Sequence, residues 1–315
     1  MKTLLLIFVS APLFLSAQKY EGFIDDKLIS FEVKNNQLDG AYTSYIKTFD
    51  YKREILYWPC VTGSFSKGQR VGKWSLYDEK GNLIFERNYN DLFDFDQVIP
   101  KLPDNDAIEL LSKPVYEVVK DTNNYYVYYP LKEREVVLIN RAWRELLPES
   151  NPELVNQDIF NQLFEKLSSG ELKAYVQDQF MDTIPKARFD EMKNLELVSF
   201  RIKEDFVIDV TRQLSETRII GLCPVVQIGN EAPFELGWLY YPQLRNLLSM
   251  QKIKTDNPKI ENLEDLIFYR QINGEVYQDT HIHSNISEYA QIHPALYDCM
   301  LFELEHEFWK KITGN

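Results

Sequence analysis

Two histidines separated by a single residue, His281 and His283, form the most suggestive chemical pair in the chain. On a strand, side chains at i and i+2 share one face, so both imidazoles can meet one zinc ion at about 2.0–2.1 Å. Asp279, Glu288 or His293 would supply a third ligand. The pair lacks the HExxH or CxxC context that sharpens a zinc site, and surface histidines beside Asp279 are the competing reading. A second group, Glu303, His306 and Glu307, has the three- and four-residue spacings of neighbouring helical turns, which suits an ion-pair network. Gly-x-Ser-x-Gly, Gly-x-Gly-x-x-Gly and the phosphate-loop pattern are all absent, so neither a hydrolase elbow nor a nucleotide cradle is expected. Cys60, Cys223 and Cys299 lie far apart; an oxidising compartment permits one disulfide, and small buried apolar residues are the alternative. A Cys–His pair stays open, although Cys223 sits beside Pro224 in a run that reads as a buried strand. Trp238, Leu239, Tyr240 and Tyr241 make either a sugar or peptide platform or a strand apolar on both faces in the middle of a domain.

The elements that would position these groups begin after an export signal. Lys2 precedes an apolar run over residues 4–15, shorter than the roughly 20 residues a membrane-spanning helix needs. Ser16 and Ala17 close it before the polar Gln18 and Lys19, so residues 1–17 read as a cleavable signal peptide. No cysteine follows the expected cut, so a lipid anchor there is not expected. No later stretch is apolar enough to span a membrane. The mature chain is expected to be soluble. A formal charge of −13 argues against nucleic acid and anionic lipid as main ligands, because both demand a basic surface.

Residues 18–90 read as successive β-hairpins. Segments 20–24 and 28–33 flank Asp25 and Asp26, and segments 74–77 and 83–85 flank the turn at 78–82, where Gly81 supplies positive φ. Segments 38–42 and 61–65 share a pattern of apolar, polar, glycine, small and aromatic residues, as stacked hairpin units would. The run Gly72-Lys73-Trp74, Tyr77 and Gly81-Asn82-Leu83 resembles MORN-type repeats of the YwqK-like kind. That resemblance implies a scaffolding or contact module without catalysis. Residues 91–115 interleave Asp91, Asp94, Asp96, Asp104 and Asp106 with prolines and Phe93 and Phe95; they lack the spacing of a calcium loop and read as an acidic linker.

Residues 116–315 read as a mixed domain, which makes the whole chain α+β. A strand is expected at 125–129. A helix is expected from Asn151 and Pro152, through Leu154, Ile159, Leu163 and Leu167, to Gly170. Strands are expected at 195–202, 206–210, 218–228 and 234–241, with short helices at 242–249 and from Asn262. The last helix, about 294–312, has Tyr297, Met300, Leu301, Leu304 and Phe308 on one face and Glu303, Glu307 and Lys310 on the other.

Several blocks in this region, in order, resemble the GldN/PorN family of the type IX secretion and gliding machinery of Bacteroidota. They are the basic-aromatic stretch from Arg134 to Leu146 with Trp143 and Arg144, the strand Gly221-Leu222-Cys223-Pro224-Val225, the run Trp238 to Arg245, the segment Leu263 to Arg270, and the closing Glu305-His306-Glu307-Phe308-Trp309. Residues 271–277 depart from the arginine-rich pattern usual in that family. The resemblance implies a periplasmic, non-enzymatic protein without cofactors, at the inner face of the outer membrane. Its implied partners are an outer-membrane lipoprotein, with which it forms a ring, and the periplasmic secretion shaft. The alternatives from other classes are a binding module built on the hairpins and a zinc hydrolase built on His281 and His283.

Overall fold

The computed structural model describes residues 17–24, 27–35, 37–49, 52–78, 80–89, 120–128, 136–209, 214–280 and 294–313. Residues 1–16 of the expected signal peptide and the whole expected linker, 91–115, lie outside them. The chain divides into two compact units. The first comprises Met1–Lys113, Gln213–Ser215 and Ile292–Asn315, and the second Pro114–Arg212 and Glu216–Gln291.

In the first unit β1 (Gln18–Ile24), β2 (Lys27–Lys34), β3 (Gln37–Phe49), β4 (Ile55–Ser66), β5 (Gln69–Tyr77) and β6 (Leu83–Tyr89) form one antiparallel meander in chain order. The hairpins around Asp25 and Asp26 and around 78–82 are present as expected. In the second of these, the Asp78 carboxylate accepts from the backbone N–H of Lys80 and Asn82, both at 2.8 Å. The two look-alike segments turn out to pair with each other. Gly40 lies opposite Phe65 and Tyr42 opposite Gly63, and a Cβ at Gly40 would collide with the Glu32 side chain. The likeness therefore reflects one antiparallel pairing within a single sheet, where stacked units were expected.

Gly63 is required by packing. A Cβ there would sit 2.0 Å from the Trp74 ring, which lies over the glycine and donates its Nε1–H to the Ser64 carbonyl at 3.1 Å. Trp74, Tyr42 and Phe65 cluster with centroids 5.0–5.7 Å apart. The closing helix, α5 (Pro294–Thr313), belongs to this unit and completes the cluster. Its Phe302 ring lies 5.0 Å from Tyr42, 5.2 Å from Trp74 and 5.5 Å from Phe65. Edge-to-face aromatic pairs add about 0.5–1.5 kcal/mol each beyond the area they bury. Glu303, expected on a solvated face, is instead buried and ion-paired with Lys27, while Glu305 pairs with Arg70 at 3.3 Å. The sheet's cations draw both acids inward, because a carboxylate leaves water only with a partner.

The second unit is a mostly antiparallel sheet. Its strands are β7 (Val136–Leu146), β8 (Ala174–Tyr175), β9 (Leu195–Asp209), β10 (Leu214–Ile228), β11 (Phe234–Glu235), β12 (Trp238–Tyr240) and β13 (Glu275–Asp279). They run in the order β13-β7-β9-β10-β12-β8, with β11 beside β10. The helices are α1 (Gln157–Ser169), α2 (Ala187–Glu191), α3 (Tyr241–Ser249) and α4 (Leu263–Phe268). The expected helix ends at Gly170, in the left-handed region, but starts later than expected. Asn156 is its cap, accepting from Ile159 N–H at 3.0 Å. Asn151 is taken up elsewhere, since its side chain exchanges hydrogen bonds with the Asn273 backbone at 2.6 and 2.8 Å. The strand expected at 125–129 reduces to a single bridge between Lys120 and Tyr126. Residues 234–241 give two short strands, and helix α3 already begins at Tyr241.

The strands expected at 195–202 and 206–210 are one continuous β9. The polar triplet Lys203, Glu204 and Asp205, which separated the two expected strands, is accommodated by partners. Glu204 accepts from Arg144 Nε at 2.6 Å and is held by Arg270 as well. Burial pushes the Glu204 carboxyl up, but the two guanidiniums outweigh it and bring it to about 2.

Two outcomes follow. Phe302→Ala removes the ring that closes the first core and should destabilise that unit by about 3–5 kcal/mol in denaturant titration. Glu204→Gln leaves two guanidiniums without their carboxylate and should cost about 3–5 kcal/mol at neutral pH. Because the folded carboxyl titrates below its ordinary 4.5, its contribution is complete above that pH and is lost on acidification toward about 2. Melting profiles across that window should fall for the native chain and run flatter for the variant.

Candidate functional site: a charged aromatic sheet face

Side chains alternate across a strand, so β7 and β9 present two different faces. On one, Asn140, Ala142, Arg144 and Leu146 lie opposite Phe206, Glu204, Ile202 and Phe200, and all are buried. On the other, Arg141, Trp143 and Glu145 lie opposite Asp205, Lys203 and Arg201. This second face is a stripe of charges and rings that solvent partly reaches at Arg141, Glu145, Arg201 and Asp205, while Trp143 and Lys203 in its middle are buried.

At one end Arg141 grips Asp205 with two parallel bonds of 2.6 and 2.7 Å, the fork geometry that gives guanidinium–carboxylate pairs their strength. In the middle the Lys203 ammonium stands 5.8 Å from the Trp143 ring centroid and 5.5 Å from that of Phe180. At the other end Arg201 bonds Glu235 at 2.7 Å, sits 3.7 Å from Glu145 and stacks 4.9 Å over the Tyr277 ring. Glu145 also accepts from the Ser199 hydroxyl at 2.7 Å, and Glu235 from Trp238 Nε1 at 3.3 Å.

A flap between β8 and α2 lies against the middle of the stripe. It is a small hairpin, closed by bonds from Val176 N–H to the Asp182 carbonyl and from Ile184 N–H to the Ala174 carbonyl, both 2.8 Å. Asp178 pins it by accepting from Trp143 Nε1 at 2.9 Å and pairing with Lys203 at 3.2 Å. Phe180, at φ 57°, packs against Gly221, where a Cβ would come within 2.7 Å of its ring. Phe180 also meets Tyr175 and Tyr240 at 5.5 and 5.3 Å. Beneath the flap lies the cluster of Trp143, Cys223 and Trp238. Tyr240, Tyr277, Val176 and Met181 remain exposed around it.

Chemically this face is suited to contact by charge pattern and fit; among the described residues it holds no reactive constellation. Its carboxylates are engaged by guanidiniums, an ammonium or donors. Burial pushes the Cys223 thiol up, away from the thiolate that a nucleophile requires. Burial likewise raises the Tyr277 phenol. Arg, Tyr and Trp in partly exposed stacks are the residues that dominate protein–protein contacts.

The earlier candidates distribute as follows. His281, His283, Glu288 and His293 lie outside the described residues. Asp279 is buried at the end of β13, and no group of three potential metal ligands occurs among the described residues. Glu303 is the buried partner of Lys27, and the His306 and Glu307 side chains lie outside the description. Cys60, Cys223 and Cys299 are all buried and unbridged. Of the possible aromatic platform, Trp238 and Tyr241 are core and only Tyr240 is exposed. Sequence reasoning missed Arg201, Lys203, Asp178 and Glu235. The signal was present in the alternation of 141, 143 and 145 and of 199, 201, 203 and 205, once β9 is read as a single strand.

No helix among the described residues is long and apolar enough to cross a membrane. No curated protein matches the chain significantly. A family model does match: that of the gliding motility associated protein GldN, over residues 111–310. The match takes in β7 through β13 and every side chain of the charged aromatic face, and it covers most of the chain; the chain belongs to the GldN family.

Proposed function

We propose that this chain is a non-enzymatic component of the type IX protein secretion and gliding motility complex, working in the periplasm at the inner face of the outer membrane. Membership of the gliding-motility family supports a role inside a multi-protein machine. The observation that carries the reading is the β7–β9 face, where Arg201, stacked on Tyr277 and paired with Glu235, offers a part-exposed anchor. Such a face binds by fit and charge pattern and has no group poised to make or break bonds. Its partners in this reading are the outer-membrane lipoprotein of the ring and the periplasmic secretion shaft. The six-stranded sheet of the first unit serves as a MORN-like contact module. A leader over residues 1–17 delivers the chain to that compartment.

The test is recovery of the tagged chain from its own cells. The lipoprotein and shaft components should co-purify with it. Arg201→Ala combined with Tyr277→Ala should reduce that recovery by about tenfold or more, as loss of an interface anchor does, with thermal melting little changed. A monodisperse monomer that brings down no secretion component would sink the reading.

A further inference from the structure

The first unit's exposed large apolar residues are unevenly placed. Phe23, Phe49, Ile55, Leu56, Trp58, Leu83 and Ile84 all lie at the end of the sheet where the β1–β2, β3–β4 and β5–β6 turns gather. None is found at the opposite end among the described residues. Phe49 is 61% exposed, Leu83 53% and Ile55 50%. The β3–β4 hairpin reaches further than its neighbours. The β2 pairing stops at Tyr45 and the β5 pairing at Val61, while β3 and β4 go on pairing from Ile46 with Trp58 out to Phe49 with Ile55. This two-stranded arm carries apolar side chains on both faces, Phe49 and Ile55 on one and Leu56 and Trp58 on the other. Phe23, 5.8 Å from Tyr57, and Gly81 beside the Trp58 ring lie against it; a two-stranded ribbon is marginal in water, and apolar residues on both of its faces gain nothing from solvent.

We infer that this end of the sheet is a self-association surface, and that its occupant is the same end of a second copy of the chain across a two-fold axis. The area argues for it. Seven large side chains at these exposures present several hundred Å2, at or above the ~300–600 Å2 apolar patch a monomer tolerates and near the ~800 Å2 per partner of a standard interface. The charges argue for it too. Lys47, Lys52, Arg53, Glu54 and Lys80 are exposed in or beside these turns, and Asp78 is half-buried there. A rim with both signs can meet its own two-fold copy with opposite charges facing, whereas an anionic bilayer or nucleic acid needs a cationic excess. The surface lies ahead of the family-matched residues 111–310; it deepens the contact role proposed for the six-stranded sheet and does not rest on the β7–β9 face.

Light scattering on the purified full chain at concentrations on the order of 10 μM tests it, the affinity range expected of an interface this small. A dimer is expected, weakened about tenfold or more by Phe49→Ser combined with Leu83→Ser, with the circular dichroism spectrum unchanged. A strictly monomeric native chain overturns the inference, as does a dimer indifferent to the double variant. Should that variant fail to fold, mild oxidation of the single variants Ile55→Cys and Met181→Cys decides the matter, because the native thiols are buried. A disulfide-linked dimer from Ile55→Cys alone supports the two-fold contact; equal yields from both overturn it. Binding to vesicles of phosphatidylethanolamine and phosphatidylglycerol that depends on Phe49 and Leu83, with no dimer, also overturns it, in favour of a lipid occupant.

Discussion

Lys203, Glu204 and Asp205 sit side by side in a 15-residue strand, and a strand can carry three consecutive charges inside a fold only if both of its faces supply partners. Successive side chains point to opposite sides, so the triplet must be answered twice. On the buried side Arg144 and Arg270 converge on Glu204. On the accessible side Arg141 takes Asp205, and Asp178 takes Lys203. The first set ties β7 and the segment after α4 to β9, and the second fixes the flap. The charged aromatic face is therefore a by-product of the demand that lets β9 run uninterrupted through the sheet. Altering Arg141, Lys203 or Asp178 therefore disturbs the support that holds β9 and the flap, whereas Arg201 and Tyr277 stack at the end of the face, outside that set.

The parts legible in the sequence were those where one local rule decides. Hairpins with Asp or Gly turns, the end of α1 at Gly170, the start of α4 at Asn262 and the extent of α5 all follow from residue type and spacing. The misreadings came where a distant partner overrides the local rule. Asn151 has the form of a helix cap but is claimed by Asn273, 122 residues away. The β9 triplet looks like a turn only while its four partners are unknown. Glu303 belongs to a solvated face until Lys27 arrives. The candidate face was hidden for the same reason: its residues come from β7, the flap, β9, β11 and β13, and only pairing register brings them together.

The first unit shows a different economy. Its core sets a cluster of rings among aliphatic residues such as Ile29, Val33, Leu38, Val61 and Leu76, and glycine at 63 lets Trp74 settle onto the neighbouring strand. A sheet of consecutive hairpins can form its hydrogen bonds locally, yet one of its faces stays open until Phe302 covers it. The sheet's local regularity is thus legible in a short stretch of sequence, while the completion of its core is not, because the covering element lies at the far end of the chain.

That separation bears on how the molecule is made. The ion pair between Lys27 and Glu303 spans 276 positions, and that between Arg70 and Glu305 spans 235. During synthesis the six hairpin strands emerge long before the helix they require, and the second unit can assemble in the interval. Closing so long a loop is slow, and folding rates fall as contacts become less local. The early strands therefore pass through a period as an incomplete sheet with aromatic residues uncovered. Completion of that core waits on the last helix to be made, which brings Tyr297, Met300, Leu301 and Phe302 together with the two acids that pair with the sheet.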